Sequence, residues 1–220
     1  GKFKFDISKY ISQFDQAIIA KKNKKIFGED YDKIGDINIF YKYIVKLQSK
    51  EILGFKNDFI FLKTHAGLFK IDNNPFTTVN NTRGFIYIVR DPRDVCISNA
   101  KHNGISYDES ISMMLNSSAY VEWIQKKEDI EFLSNKFVPK TLMGNWEDHF
   151  LSWAFVDWKV PFLVLKYEDL VYEKKETLKK IILFFEKNYN FSFKNKEQKI
   201  AKIIKTTEFN VFKKHEENKG

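Results

Sequence analysis

Three short polar clusters carry the chemistry this sequence can offer: Lys63-Thr64-His65, Arg90-Asp91-Pro92-Arg93-Asp94 and Lys166-Tyr167-Glu168-Asp169. The second has the most specific mechanism. Of the 37 lysines and arginines only three are arginine, Arg83, Arg90 and Arg93, all within one eleven-residue window. Arginine kept in one place in a lysine-rich chain points to a need for a planar, permanently charged fork, the group that grips phosphate or carboxylate bidentately. Chance grouping is the bland alternative. Asp91 followed by Pro92 reads as an N-cap and first helical residue. An anion placed there would meet the Arg90 guanidinium and free backbone N–H groups at the positive end of a helix dipole. Ser98, eight residues beyond Arg90 and inside that helix, offers a further hydroxyl donor to the same phosphate. Asp94 is a first-turn acid, and Arg93 reads equally as the ion-pair partner of a nearby acid.

The elements that must position these clusters are strands and helices in alternation. The runs 58–64 (DFIFLKT), 84–90 (GFIYIVR) and 161–167 (PFLVLKY) are short, apolar and bounded by turn residues, and read as buried strands. Helical stretches are expected over 38–53, from Pro92 to about 102, and over 107–124, 146–158, 173–189 and 195–207. In the first of these Ile39, Tyr43, Lys46/Leu47 and Lys50 are expected along one side, with Ile44 and Leu53 nearby, a mixed face. Strands separated by helices imply βαβ units, hence an α/β fold of three layers with a mostly parallel sheet flanked by helices. Each strand ends in one of the polar clusters, and parallel sheets bind ligands beyond the carboxyl ends of their strands. Any loop after a strand is polar; three such endings with an Arg, a His and a Tyr-acid pair favour a site. A lone histidine after a strand also reads as a surface residue, and Tyr167 as core.

Size and charge set the bounds. At 220 residues and 43% hydrophobic content, one core and a single domain over 1–220 are expected. A net charge of +8 favours an anionic partner, whether nucleotide, phosphate, sulfated sugar or nucleic acid. The single cysteine, Cys96, excludes an internal disulfide framework and fits a reducing compartment, so a cytoplasmic location is expected. No run reaches the ~18–20 apolar residues of a membrane span. His102, His149 and His215 lack metal-ligand spacing and receive no role. Trp123, Trp146, Trp153 and Trp158 read as core.

Taken together, FLKTHAG, YIVRDPRDVCISNAKH, GNWEDHFLSW and LVLKYEDL, in that order, resemble the sulfotransferases that use 3′-phosphoadenosine 5′-phosphosulfate (PAPS). The likeness runs from about Asp58 to Phe212. It implies that Arg90 and Ser98 hold the 3′-phosphate of the nucleotide. Lys63 and His65 match a Lys-Thr-His in which the histidine is the general base that deprotonates the acceptor hydroxyl. Tyr167 would reach toward the adenine, and Thr207 and Phe209, from TTEF, would line its pocket. Sulfuryl transfer is an in-line displacement that needs positioning, positive charge and a base. An imidazole with an ordinary pKa near ~6.5 suits the base, and Lys63 would neutralise developing charge.

Two family features have no counterpart between Gly1 and Gly220: the phosphosulfate-binding loop Tyr-Pro-Lys-Ser-Gly-Thr-Thr-Trp, and an Arg-Lys-Gly followed by Gly-x-Trp-Lys. The expectation is that they lie just outside these ends, making the chain an internal piece that alone binds the cofactor weakly and is inactive. Two rivals stand beside this reading. One is a nucleotide phosphotransferase of related architecture, weakened by the lack of a phosphate loop and of a magnesium-holding acidic pair. The other is a non-catalytic polyanion binder, for which KKNKK (21–25) is the candidate patch. The segment 70–84 is expected either to border the acceptor pocket, for a small-molecule or carbohydrate hydroxyl, or to be a surface loop.

Overall fold

The computed structural model describes residues 12–13, 19–20, 22–54, 60–122, 139–208 and 211. In chain order they form β1 (Ser12–Gln13), α1 (Ile37–Leu47), α2 (Lys50–Leu53), β2 (Leu62–Lys63), β3 (Lys70–Ile71), β4 (Asn74–Pro75), β5 (Phe85–Val89) and α3 (Pro92–Asn103). There follow α4 (Tyr107–Leu115), β6 (Tyr120–Glu122), β7 (Lys140–Leu142), α5 (Trp146–Ala154), β8 (Phe162–Lys166), α6 (Tyr167–Tyr172), α7 (Lys174–Tyr189) and α8 (Lys196–Thr206). The fold class is α/β. β1 pairs with β2 and β5 with β8 in parallel, while β3–β4 and β6–β7 are antiparallel. The chain divides into two compact units, one of Gly1–Arg83 with Pro92–Val160, the other of Gly84–Asp91 with Pro161–Gly220. No described helix is long and apolar enough to cross a membrane.

In the first unit, α1 supplies the main apolar stripe. Asp36 caps it by accepting from the Asn38 N–H at 2.9 Å. Phe40, Tyr41, Ile44 and Leu47 are buried, a spacing of one helical face. Leu47 lies on the expected side and Ile44 beside it, but Phe40 and Tyr41 are buried where Ile39 and Tyr43 were expected. Tyr43, half-buried, donates its hydroxyl to Asp30 Oδ2 at 2.8 Å and sets its ring 5.0 Å from that of Phe27. Nor does the helix run unbroken to 53. Ser49 adopts an extended conformation, which ends α1 and starts α2, and Gly54 closes α2 in the left-handed region. Gln48, at the break, donates to the Phe76 carbonyl at 2.6 Å.

The stretch 70–84 is ordered by a hairpin. Asp72 and Asn73 both have positive φ, 48° and 64°, the two-residue turn whose twist matches antiparallel strands and which Asp and Asn tolerate. It delivers Phe76 and Thr77 to the core. The expected helix over 107–124 stops at Leu115. The Asn116 side chain accepts from the Ser118 N–H at 2.9 Å, closing a turn. Tyr120–Glu122 then becomes a strand against Lys140–Leu142, and the Lys140 ammonium lies 4.5 Å from the Tyr120 ring centroid. The helix over 146–158 is likewise shorter, ending at Ala154.

In the second unit, β5 and β8 run parallel in the register Phe85↔Phe162 to Val89↔Lys166. Phe85 and Phe162 stack at 5.3 Å between centroids. α6, α7 and α8 follow β8. Thr177, fully buried, donates from its hydroxyl to the Asp169 carbonyl at 3.1 Å and ties α7 to α6. Glu197 of α8 pairs with Lys175 of α7 at 3.0 Å. Gly84 enters β5 where a Cβ would collide with the Tyr189 hydroxyl and lie 2.6 Å from the Pro161 carbonyl, so only glycine fits without displacement.

Candidate functional site

The parallel register of the second unit decides what meets at its strand ends. Because Val89 faces Lys166, the next residues, Arg90 and Tyr167, leave their strands side by side. The Arg90 guanidinium carbon lies 4.6 Å from the centroid of the Tyr167 ring, a cation–π arrangement. Arg90 is half-buried and Tyr167 exposed, so a flat charged surface stands beside an open aromatic face. Glu168, the residue after Tyr167, accepts the Asp91 N–H at 3.1 Å and thereby joins the two strand ends. That hydrogen bond is the largest cause holding the Glu168 carboxyl below its usual pKa, with the Arg90 charge adding to it. A flat cation, an aromatic face and a hydroxyl in one place can take an anionic group attached to a heteroaromatic ring.

Later in the chain of this unit, Thr207 caps α8. Its hydroxyl donates to the Ile203 carbonyl at 2.8 Å. The Lys174 ammonium donates to the Thr207 carbonyl at 3.0 Å, so α7 fixes where Thr207 stands. Phe209 lies outside the described residues.

The first unit holds the remaining expected residues. Lys63 ends β2, which pairs with β1 through Gln13↔Lys63. Both Lys63 and His65 are exposed. The chain then turns through Thr64, whose hydroxyl accepts the Ala66 N–H at 3.0 Å. Exposed as His65 is, partial desolvation is the first cause that depresses its pKa, followed by the Lys63 ammonium and by the nearness of a second ionisable ring, His149. A histidine held neutral in this way is an acceptor of protons at neutral pH.

The backbone after His65 is held by α5. His149 Nε2 lies 3.2 Å from the His65 carbonyl, Trp153 Nε1 donates to the Ala66 carbonyl at 2.9 Å, and Ser152 Oγ accepts the Leu68 N–H at 2.9 Å. The Gly67 N–H donates to the Leu142 carbonyl at 3.1 Å, and the Leu142 N–H to the buried Tyr41 hydroxyl, also at 3.1 Å. Burial, the larger cause, pushes the Tyr41 phenol up to about 12. Gly144, at φ +68°, lets the Phe69 ring lie where a Cβ would stand 2.7 Å from it. His149 received no role in the sequence reading, and Trp153 was expected only as core. The readable signal was the spacing His149, Ser152, Trp153 in WEDHFLSW, three hydrogen-bonding side chains on one helical face.

Ser98 is exposed on α3 of the first unit. That helix is pinned to α4 by fully buried Ser110, which donates to the Cys96 carbonyl at 2.9 Å and accepts from the Asn99 amide at 3.0 Å. The structure therefore brings Arg90 and Tyr167 together in one unit. It gathers Lys63 and His65 in the other, which also carries Ser98.

The sulfotransferase domain family matches residues 8–220 of the chain. Mouse (Mus musculus) sulfotransferase 2A1 is 32% identical over 106 residues, 47% of this chain and 31% of its own length. The 3-beta-hydroxysteroid sulfotransferase of Cavia porcellus is 26% identical over 132 residues, 60% of this chain and 39% of its own. A solved structure of mouse sulfotransferase SULT7A1 complexed with PAP is 20% identical with a TM-score of 0.47, covering 74% of this chain and 51% of that one. The matched stretches span less than half the length of both curated relatives.

Proposed function

We propose that this chain, which belongs to the sulfotransferase domain family, transfers a sulfuryl group from PAPS to the hydroxyl of a small-molecule acceptor. The observation that carries the reading is the Arg90 guanidinium stacked on Tyr167 at the carboxyl ends of paired parallel strands. In this reading Arg90, with Ser98, holds the 3′-phosphate of the nucleotide. Tyr167 offers its face to the adenine, and Thr207, held by Lys174, borders the same base together with Phe209.

His65 is the general base. Its depressed pKa keeps it neutral and ready to take the acceptor's proton. Lys63, two residues before it, offsets negative charge that grows on the sulfuryl oxygens as the bond to the donor breaks. The proton leaves the acceptor oxygen for the imidazole as that oxygen attacks sulfur, and the bisphosphate departs. A relative named for 3-beta-hydroxysteroid favours a sterol-like hydroxyl as the acceptor. The single cysteine, Cys96, supports a reducing, cytoplasmic setting.

Calorimetric titration of the protein with 3′,5′-adenosine bisphosphate and with 5′-AMP tests this. The bisphosphate is expected to bind tighter, and Arg90→Ala to erase the difference. Equal affinity for the two nucleotides in the full-length protein would sink the reading.

A further inference from the structure

Helix α5 reaches the chain after His65 through side chains directed at main-chain atoms. Three of them do so from one face, at positions i, i+3 and i+4: His149, Ser152 and Trp153. Trp153 is 7% exposed and serves the core as well. Ser152 has a second duty, donating to the His149 carbonyl at 2.8 Å, which ties it to its own helix. His149 is different, because the carbonyl it meets belongs to His65 itself. A carbonyl only accepts, so the His149 ring must carry its proton on Nε2. Rotation of the 65–66 peptide would break that bond. The same peptide plane fixes ψ of His65, and ψ together with φ decides which rotamers its side chain can occupy.

We propose that His149 is a positioning residue: by donating from Nε2 to the His65 carbonyl, it holds the peptide that aims the His65 imidazole. The inference rests on the reading of His65 as the base. Burial is the largest influence on His149 and lowers its pKa, keeping the ring neutral, while the carbonyls of His65 and Ala66 act in the opposite sense. A neutral ring with its proton on Nε2 makes the contact without adding a full positive charge beside His65. An error of about 1 Å in the placement of a reacting group costs on the order of 100-fold in rate, so a base carried on a turn needs such a restraint.

His149→Gln places an amide N–H where Nε2 stood, while His149→Asn stops short, near Nδ1. In the 220-residue chain, three-bond couplings about χ1 of His65 are expected to report one rotamer in the wild type and in His149→Gln. In His149→Asn they average. An unchanged His65 rotamer in His149→Asn overturns the proposal. The wild type gives a check that needs no variant: imidazole ¹⁵N shifts must identify the Nε2–H tautomer of His149, and an Nδ1–H tautomer overturns the proposal.

On the full-length protein, with PAPS and a 3β-hydroxysteroid, His149→Asn is expected to lower kcat roughly 10- to 100-fold. Acceptor KM should stay within about twofold, and His149→Gln should recover most of kcat. A purely structural role would instead lower the melting temperature and the active fraction alike in both variants. An averaged His65 rotamer with undiminished kcat would keep the positioning contact and remove His65 as the base.

Discussion

The Arg90 guanidinium carbon stands 4.6 Å from the centre of the Tyr167 ring, although the two residues are 77 positions apart in the chain. One parallel ladder, ending at Val89↔Lys166, makes them neighbours. A cation–π contact with a ring orients a guanidinium, a planar group that recognises anions bidentately.

Arg90→Lys should therefore behave as a loss. A lysine keeps the charge and gives up the bidentate fork and the stack. Affinity for 3′,5′-adenosine bisphosphate is expected to fall about tenfold, ~1.4 kcal/mol, with 5′-AMP affinity nearly unchanged. Calorimetry on both nucleotides reads it.

Tyr41→Phe removes the buried hydroxyl that accepts the Leu142 N–H. The amide is left without its acceptor inside the core, at a cost of about 1–3 kcal/mol. A lower midpoint in urea unfolding at an unchanged slope is the expected outcome; an unchanged midpoint would show that another group takes over the N–H.

Gly84→Ala drives a methyl into the Tyr189 hydroxyl and crowds the Pro161 carbonyl. Overpacking of this kind costs about 1–3 kcal/mol. Tyr189→Phe takes away the first of the two obstacles. The pair is expected to be non-additive, the double variant being more stable than the sum of the singles predicts. A thermodynamic cycle from four unfolding curves decides it.

Acid should weaken the first unit through His149. Burial depresses its pKa, so the unfolded chain takes up a proton at a pH where the folded chain does not. Its contribution is full above the ordinary histidine value near ~6.5 and is lost as pH falls through the depressed folded value. His65, shifted in the same direction, acts with the same sign. His149→Gln is expected to flatten the fall in urea midpoint between about pH 7 and about pH 5.

What could be read beforehand was local. Pro92 announced the start of α3, and the strands 84–90 and 161–167 were visible as apolar runs, although they are not the buried strands expected: only Leu165 is buried, and Ile88 and Phe162 are exposed. The strand Tyr120–Glu122 was hidden in an expected helix. Its partner, Lys140–Leu142, lies some way along the chain, and pairing at a distance leaves no periodic trace in either segment. On α1, Leu47 and Ile44 were legible, whereas the burial of Phe40 and Tyr41 was not, since Tyr41 is held by a hydrogen bond to the Leu142 N–H far along the chain. Within the site, Arg90 and Tyr167 were legible as strand endings. His149 was not, since a side chain that serves another residue's carbonyl leaves no mark except its spacing.

The grip of α5 is taken on main-chain oxygens and nitrogens, groups present whatever side chain the residue bears. Thr64, with its hydroxyl on the Ala66 N–H, is the exception in that turn. The path of the chain past β2 is thus largely independent of which residue occupies position 65. A lineage could exchange the chemistry offered there by a single codon change and inherit the same scaffold intact.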